Sequence, residues 1–299
     1  MRIGLFLGEP RSDDPIGELT GWIRQADDDG FASAWVPQIF GLDALTALAA
    51  AGRGTTIELG TGVVPTYPRH PMMLAQQALT ANAAIDGRLA LGIGLSHKPV
   101  VEGMWGISFA QPARHMEEYL SVLLTLTREG YASFDGEAFR VHGRIQVPGA
   151  RPFPILVAAL GPRMLHVAGS LADGTVTWMT GVRTLADHIV PTITKAASEA
   201  GRDVRVVHCL QVCVTDDVDA GREAAATAFA GYGSLPSYRA MLDREGAQSE
   251  GDVAIVGDEA AVRAGIERSA DAGATDFVAV PVGDRAARTR TRALLKTLL

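Results

Sequence analysis

The sequence predicts an α/β fold, a (β/α)8 TIM barrel with insertions in its βα loops, and three observations carry that expectation. Eight short apolar runs alternate with helical patterns along the 299 residues, and barrels of this kind commonly fill about 250 residues as one unit. Most of the runs are continuously apolar, as expected of parallel strands covered on both faces. Prolines mark helix starts and glycines mark helix stops between them. The rival is an open doubly wound sheet. Eight strands are many for one nucleotide-binding sheet, and no Gly-rich turn follows the first run, so the barrel is preferred, as a single domain over 1–299.

The first run, Ile3–Leu7, leads to a helix opened by Pro15. Ile16, Leu19, Trp22, Ile23 and Ala26 form its apolar stripe and Gly30 closes it. The triplet Asp27-Asp28-Asp29 reads as a solvated helix end opposing the helix dipole. Runs two and three are Ser33–Val36 and Ile57–Val64. Pro71 then opens a helix with Leu74, Ala75, Ala78 and Leu79 on one face. Leu89–Ile93 is followed by a loop and a helix bearing Leu120, Leu123, Leu124 and Thr127. Residues 131–154 interrupt the alternation, with Asp135-Gly136 as a hairpin turn. After Ile155–Ala158, Pro162 opens a helix through Leu165 and Ala168. After Thr175–Trp178, a helix from Leu185 to Ala200 carries Pro191, which kinks or restarts it. Beyond the seventh run, Val206–Val214, residues 231–255 read as a loop-rich insertion. Asp258 caps a helix through Val262 and Ile266 that ends at Gly273, before the last run, Phe277–Val280.

Composition narrows the function. With 47% hydrophobic and 20% charged residues the chain can bury a large core. The net charge of −7, without a basic block, makes nucleic acid a poor partner. The two cysteines, Cys209 and Cys213, exclude a disulfide-stapled scaffold and a four-thiolate metal site. Four residues apart on a strand, they stand about 13 Å apart and cannot bond to each other. None of the seven histidines is paired at metal-ligand spacing, so no metal is expected. The opening run is too short for a signal peptide, and no stretch approaches about 18 apolar residues, so a cytoplasmic protein without membrane contact is expected.

Barrel active sites lie at the C-terminal ends of the strands. The third strand ends in Gly60-Thr61-Gly62-Val63-Val64-Pro65-Thr66-Tyr67-Pro68-Arg69-His70-Pro71, either a stiffened rim or a plain proline-rich corner. The fourth ends in Gly92-Ile93-Gly94-Leu95-Ser96-His97. This is half of a dinucleotide fingerprint, lacking the third glycine and an acidic ribose ligand. Nor is it a nucleophile elbow, because Ser96 is followed by His97-Lys98. Ala159-Leu160-Gly161-Pro162-Arg163 begins a helix whose free N–H groups suit a phosphate, or simply starts a helix beside a solvated arginine. Trp178-Met179-Thr180-Gly181-Val182-Arg183 adds a second Gly-bearing rim loop.

In their order and spacing Arg2–Leu7, Ala34-Trp35-Val36-Pro37-Gln38-Ile39-Phe40, Leu59-Gly60-Thr61-Gly62-Val63, Arg69-His70-Pro71, Gly87-Arg88-Leu89-Ala90-Leu91-Gly92-Ile93-Gly94, Ala172-Asp173-Gly174 and Ile255-Val256-Gly257-Asp258 resemble the luciferase-like monooxygenase superfamily, in its branch of oxidoreductases using coenzyme F420. The resemblance spans nearly the whole chain. It implies the barrel, F420 as cofactor, and a non-proline cis peptide joining Gly62 to Val63 as a backstop behind the deazaflavin ring. It also implies a cofactor phosphate and side chain along Ala159, Leu160, Gly161 and Pro162 and along Met179, Thr180 and Gly181. Gln38, Ile39, Val64, Gly94, Ser96 and His97 complete the implied cofactor surround. Sugar-phosphate dehydrogenases of the branch carry Asp-His where this chain has Gln38-Ile39, and a catalytic Glu where it has His97, so sugar oxidation is not expected. His97 can move a proton, since imidazole titrates near neutral pH, or it only bonds the cofactor edge. Tyr67 and His70 are further catalytic candidates, and Trp35, Phe40, Trp105, Trp178 and Met179 are candidate walls. The implied function is hydride transfer between the deazaflavin C5 and a small organic substrate, reducing a C=N, C=C or C=O bond. The alternatives are an FMN-dependent monooxygenase and a flavin- or deazaflavin-binding protein without turnover. Pairing as a homodimer is also implied.

Overall fold

Each of the eight apolar runs contributes a parallel strand in the computed structural model, which describes residues 1–299. The strands are β1 (Arg2–Phe6), β2 (Ser33–Val36), β3 (Glu58–Thr61), β4 (Leu89–Gly94), β5 (Ile155–Val157), β6 (Gly174–Thr177), β7 (Arg205–Val214) and β8 (Asp276–Pro281). They pair in chain order, and β8 pairs with β1 to close the barrel, which rules out the doubly wound rival. Helices cover the outside, and a continuous apolar core lies between them and the strands.

The barrel interior is layered. At the strand starts, Arg205 bonds Glu58 and Asp276, each at 2.6 Å. Above it lies an apolar layer with Trp35, Ala90, Leu156, Val176, Val207, Cys209 and Val278. Trp35 is 1% exposed and donates its Nε1 proton to Ser33 Oγ at 2.9 Å, so it belongs to the core and not to a pocket wall. Gly60 makes room for its indole, since any Cβ there would collide with the ring.

The third run is not one strand. It breaks at the cis peptide Gly62–Val63, and Val64–Pro65 then pairs separately with β4. The Thr61 hydroxyl bridges the break, donating to the Gly92 carbonyl at 2.8 Å and accepting from the Gly92 amide at 2.9 Å. Pro191 restarts its helix as expected: a wide turn, Leu185–Ile189, separates Val182–Thr184 from Val190–Glu199 and accommodates the missing N–H. Residues 131–154 contain the expected hairpin, Tyr131–Asp135 with Arg140–Arg144.

Two expectations are corrected. Residues 231–255 are not mainly loop, because Pro236–Glu245 is a helix with Met241 and Leu242 buried beneath it. The acidic triplet is not simply solvated. Asp27 accepts from the Thr56 amide and hydroxyl, each at 2.8 Å. Asp29 accepts from Lys296 at 2.6 Å and Arg292 at 2.7 Å, and these bonds hold its carboxyl below the usual range. No helix is long and apolar enough to cross a membrane.

Candidate active site

At the C-terminal mouth, Phe6, Val63, Ala158 and Trp178 stand partly open above the interior layer. Phe6 and Trp178 stack with ring centroids 5.8 Å apart. Glycines let these side chains pack closely. A Cβ on Gly94 would lie 2.8 Å from Val63 and 3.3 Å from Ala158, and one on Gly62 would lie 2.8 Å from Phe6. The Trp178 Nε1–H is buried without an acceptor.

His97 precedes the short helix Lys98–Gly103 without capping it, and its ring stands 5.4 Å from that of Tyr238. Burial holds its pKa below the ordinary 6.5, so the ring is neutral near pH 7 and able to accept a proton. Tyr238 also meets Tyr232 at 5.1 Å, and Trp178 meets Phe229 at 5.0 Å and Tyr232 at 6.1 Å. Burial, with Tyr232 and Cys209 nearby, pushes the Tyr238 hydroxyl up, and it remains a protonated donor. Phe229, Tyr232 and Tyr238 come from the region between β7 and β8, and none was singled out from the sequence. The available signal was three aromatic residues within ten in an otherwise Gly-rich stretch.

The rim loops present backbone more than side chains. Met179 and Thr180 are buried. The Met179 Sδ accepts from Gln211 Nε2 at 3.0 Å, and the Thr180 carbonyl accepts from His208 Nε2 at 2.8 Å. Met179 (φ 54°) and Ser96 (φ 61°) adopt the left-handed region, uncommon for residues other than glycine. Ala159 is buried, and the Leu160 carbonyl accepts from His188 at 2.8 Å. Gly161 begins the helix Pro162–Leu171, which has no side-chain cap, and open space surrounds its Cα. The start of the helical run at Gly181 is different: the Glu245 carboxylate already accepts from its backbone N–H groups.

Other predicted residues lie elsewhere. Gln38 donates to Asp43 at 3.3 Å and accepts from the Ala44 amide at 3.2 Å, so its amide serves the start of helix Ala44–Ala51. Ile39 and Phe40 project from the rim, 51% and 62% exposed. Val64 is buried in its ladder with β4. Tyr67 stacks on His115 at 4.0 Å and packs against Phe109. Its hydroxyl is buried without a partner, and burial together with Glu102 pushes it up to about 12. His70 is an exposed N-cap whose Nδ1 accepts from the Met72 amide, its ring edge-on to Phe139. Tyr67, through His115, and His70 thus join an aromatic cluster around Phe139, while His97 joins the one at the mouth.

The match to known proteins runs along almost the whole barrel: the model of the luciferase-like monooxygenase family covers residues 1–287. The chain belongs to that family. A 5,10-methylenetetrahydromethanopterin reductase of Archaeoglobus fulgidus is 31% identical over 240 residues, covering 77% of this chain and 70% of that protein. An uncharacterized protein of Mycobacterium tuberculosis is 30% identical over 234 residues, covering 73% and 69%. Among solved structures, the coenzyme F420 dependent tetrahydromethanopterin reductase of Methanopyrus kandleri superposes with a TM-score of 0.81 at 22% identity, covering 99% of this chain and 96% of that one. The oxygenating constituent of 3,6-diketocamphane monooxygenase from Pseudomonas putida, in complex with FMN, does so with a TM-score of 0.76 at 18% identity, covering 99% and 97%. At these identities the two structures speak for the shared fold.

Proposed function

We propose that this luciferase-like protein is an F420-dependent oxidoreductase, moving a hydride between the deazaflavin C5 and a small organic substrate, in the reducing direction on a C=N, C=C or C=O bond. The observation that carries the reading is the partly exposed apolar surface formed by Phe6, Val63, Ala158 and Trp178 at the C-terminal mouth. A planar ring fits such apolar walls, and a phosphate fits a helix N-terminus such as the uncapped one at Gly161. The residues suit the group: Gly62 and Gly94 let Phe6, Val63 and Ala158 pack into one apolar surface, and Trp178 Nε1 is a buried donor without an acceptor. The F420 dependent neighbour and the FMN-bound one share this fold, and we take the deazaflavin as the first of the two cofactors to test.

When bound, the cofactor supplies the hydride chemistry. The chain orients and protects. Its aromatic walls would exclude water and orient a substrate against the bound ring. In the reducing direction the substrate heteroatom takes its proton from the protonated fraction of His97, which shrinks as pH rises above the lowered His97 value. In the oxidising direction the neutral ring accepts it, and the Tyr238 hydroxyl offers a hydrogen bond. Pairing as a homodimer belongs to the same proposal, and sedimentation of the purified protein tests it.

Fluorescence-quenching titration with F420 and with FMN tests the cofactor. The expected result is saturation by F420, followed by anaerobic oxidation of reduced F420 by an imine, enone or ketone. Tight FMN binding without F420 saturation replaces the reading with an oxygen-using monooxygenase. F420 binding without oxidation by any acceptor leaves a binding protein without turnover.

A further inference from the structure

Arg205, Val207, Cys209 and Gln211 take alternate positions along β7, and the first three face the barrel interior. Gln211 is therefore the next inward side chain toward the mouth, and it is wholly buried. It pairs in register with Val280 of β8, itself part of the interior layer. Leu5 pairs with Ala279, which sets Phe6 level with Val280. Gln211 thus stands on the level of Phe6, where the interior gives way to the mouth. Phe229 packs against the interior cluster with Cys209 and Val280 and against the small cluster with Cys213, so it lies over the stretch of β7 that holds Gln211. Phe229 is only half-buried, and a turn of this one side chain, with no helix moving, uncovers the amide.

The Gln211 amide is half-satisfied. Its Nε2 donates to Met179 Sδ at 3.0 Å. A thioether only accepts, so the nitrogen faces the sulfur and Oε1 points away, buried and unpaired. Other unpaired buried groups have plainer settings. Those on Arg88, Arg202 and Arg292 belong to guanidiniums bonded through their other nitrogens. The Tyr67 and Tyr119 hydroxyls belong to the cluster around His115, and His208 faces Phe277 on the outer side of β7. Gln211 Oε1 is left as an unpaired acceptor on the inner side, and Trp178 Nε1 as an unpaired donor at the mouth. The two flank Met179: Trp178 precedes it in the chain, and Gln211 bonds its sulfur. A methionine at 211 fills nearly the same volume without stranding an oxygen, so packing alone does not account for the amide.

We infer that Gln211 is a specificity-determining residue of the mouth, its Oε1 accepting a hydrogen bond from an N–H of the bound ligand. An edge with C=O next to N–H, as in a lactam or imide, answers both unpaired atoms, its carbonyl accepting from Trp178 Nε1. Two sources carry that edge: the pyrimidinedione end of a flavin or deazaflavin ring, and a lactam substrate. The first source rests on the proposed function; the acceptor itself does not. A ligand without the donor leaves Oε1 stranded and is disfavoured for that reason.

The test uses the full chain as wild type, Gln211→Met and Gln211→Leu, the second variant serving if the first fails to fold. F420, FMN and the N3-methylated form of each are titrated by fluorescence quenching. An unsaturated six-membered lactam and the lactone of the same ring (dihydropyridone and dihydropyranone) are titrated into cofactor-free protein and followed by the Gln211 side-chain amide resonance, identified by its loss in Gln211→Met, and by the Trp178 indole resonance. In the pair that supplies the donor, wild type should prefer the N–H compound by about tenfold or more, and the variants by less than about twofold. The variants should also keep or raise the urea midpoint, because they remove a stranded oxygen. Preference in the cofactor pairs assigns the donor to the ring, and preference for lactam over lactone assigns it to a substrate; either sustains the inference. No preference in any pair overturns it, while F420 saturation of wild type keeps the proposed function. Lactam preference without saturation by either cofactor sustains it and removes the F420 reading. A lowered urea midpoint with the wild-type preference intact in the variants makes Gln211 a packing residue and overturns it.

Discussion

Acidification loosens this barrel through His208, the residue that ties the Thr180 rim loop to β7. The imidazole is wholly buried, and its Nε2 lies 2.8 Å from the Thr180 carbonyl. A carbonyl only accepts, so Nε2 carries the proton, and Nδ1 is a buried lone pair without a partner. A second proton would create a cation there, and burial lowers the pKa from the ordinary 6.5 to about 4. The folded value lies below the unfolded one, so the unfolded chain takes up the proton first. The neutral ring's contribution is complete above about pH 6.5 and is lost as pH falls toward 4. At about 1.4 kcal/mol per unit, the loss from His208 is about 2 kcal/mol by pH 5. His115, buried and likewise lowered to about 4 by its burial, adds a similar amount. Together they remove about 4 kcal/mol, a large part of a typical stability of about 5–15 kcal/mol. Urea unfolding near pH 7 and pH 5 reads this directly. His208→Gln keeps a donor near Thr180 without the titration, and should lower stability near pH 7 while removing about half of the acid loss. A variant that retained the full wild-type loss would refute the assignment.

Three further outcomes follow from the same geometry. Arg205→Met strands Glu58 and Asp276, the latter only 2% exposed, and should cost about 3–5 kcal/mol in urea unfolding; cofactor titration should be unchanged, because all three residues stand at strand starts, opposite the mouth. His97→Gln should lower kcat about 10²–10⁴-fold on any substrate turned over, leaving cofactor Kd within about threefold. In wild type, oxidation should fall as pH drops through the depressed His97 value and reduction should fall as pH rises above it, and the variant should lose both limbs. Gly60→Ala drives a methyl into the Trp35 indole, and its urea midpoint should fall by the equivalent of about 1–3 kcal/mol.

The strands were legible because burial on both faces demands apolar residues at every position, as in Leu89–Gly94. Helices with proline starts and one apolar stripe were equally plain. Ala44–Ala51 was missed because ALTALAAA is apolar nearly all round and has no period to read. Arg285–Lys296 was missed for the opposite reason, its buried side being only Thr291, Leu294 and Leu295. At the site, glycine positions marked the mouth, since Gly62 and Gly94 stand where a side chain would collide with Phe6 or with Val63 and Ala158. Gln38 could not be placed from sequence because its orientation depends on Asp43, which also binds Arg69 and Gln77 from farther along the chain. The helix Pro236–Glu245 was hidden because its inward stripe ends in a carboxylate, where hydrophobic periodicity looks for an apolar residue.

One strand shows why the mouth, and not the base, is where a ligand belongs. β7 begins with Arg205, whose guanidinium is bonded to both Glu58 and Asp276. It passes through Val207 and Cys209 in the apolar interior and reaches Gln211, whose Oε1 is buried without a partner. Beside it on the rim, Trp178 Nε1 is also unpaired. Unpaired buried polar atoms are costly, about 1–3 kcal/mol each. Their retention at the mouth is what a binding site requires, because donors already spent on the protein have nothing left for a ligand. The base is held by charge pairing, and the mouth is lined by aromatic edges.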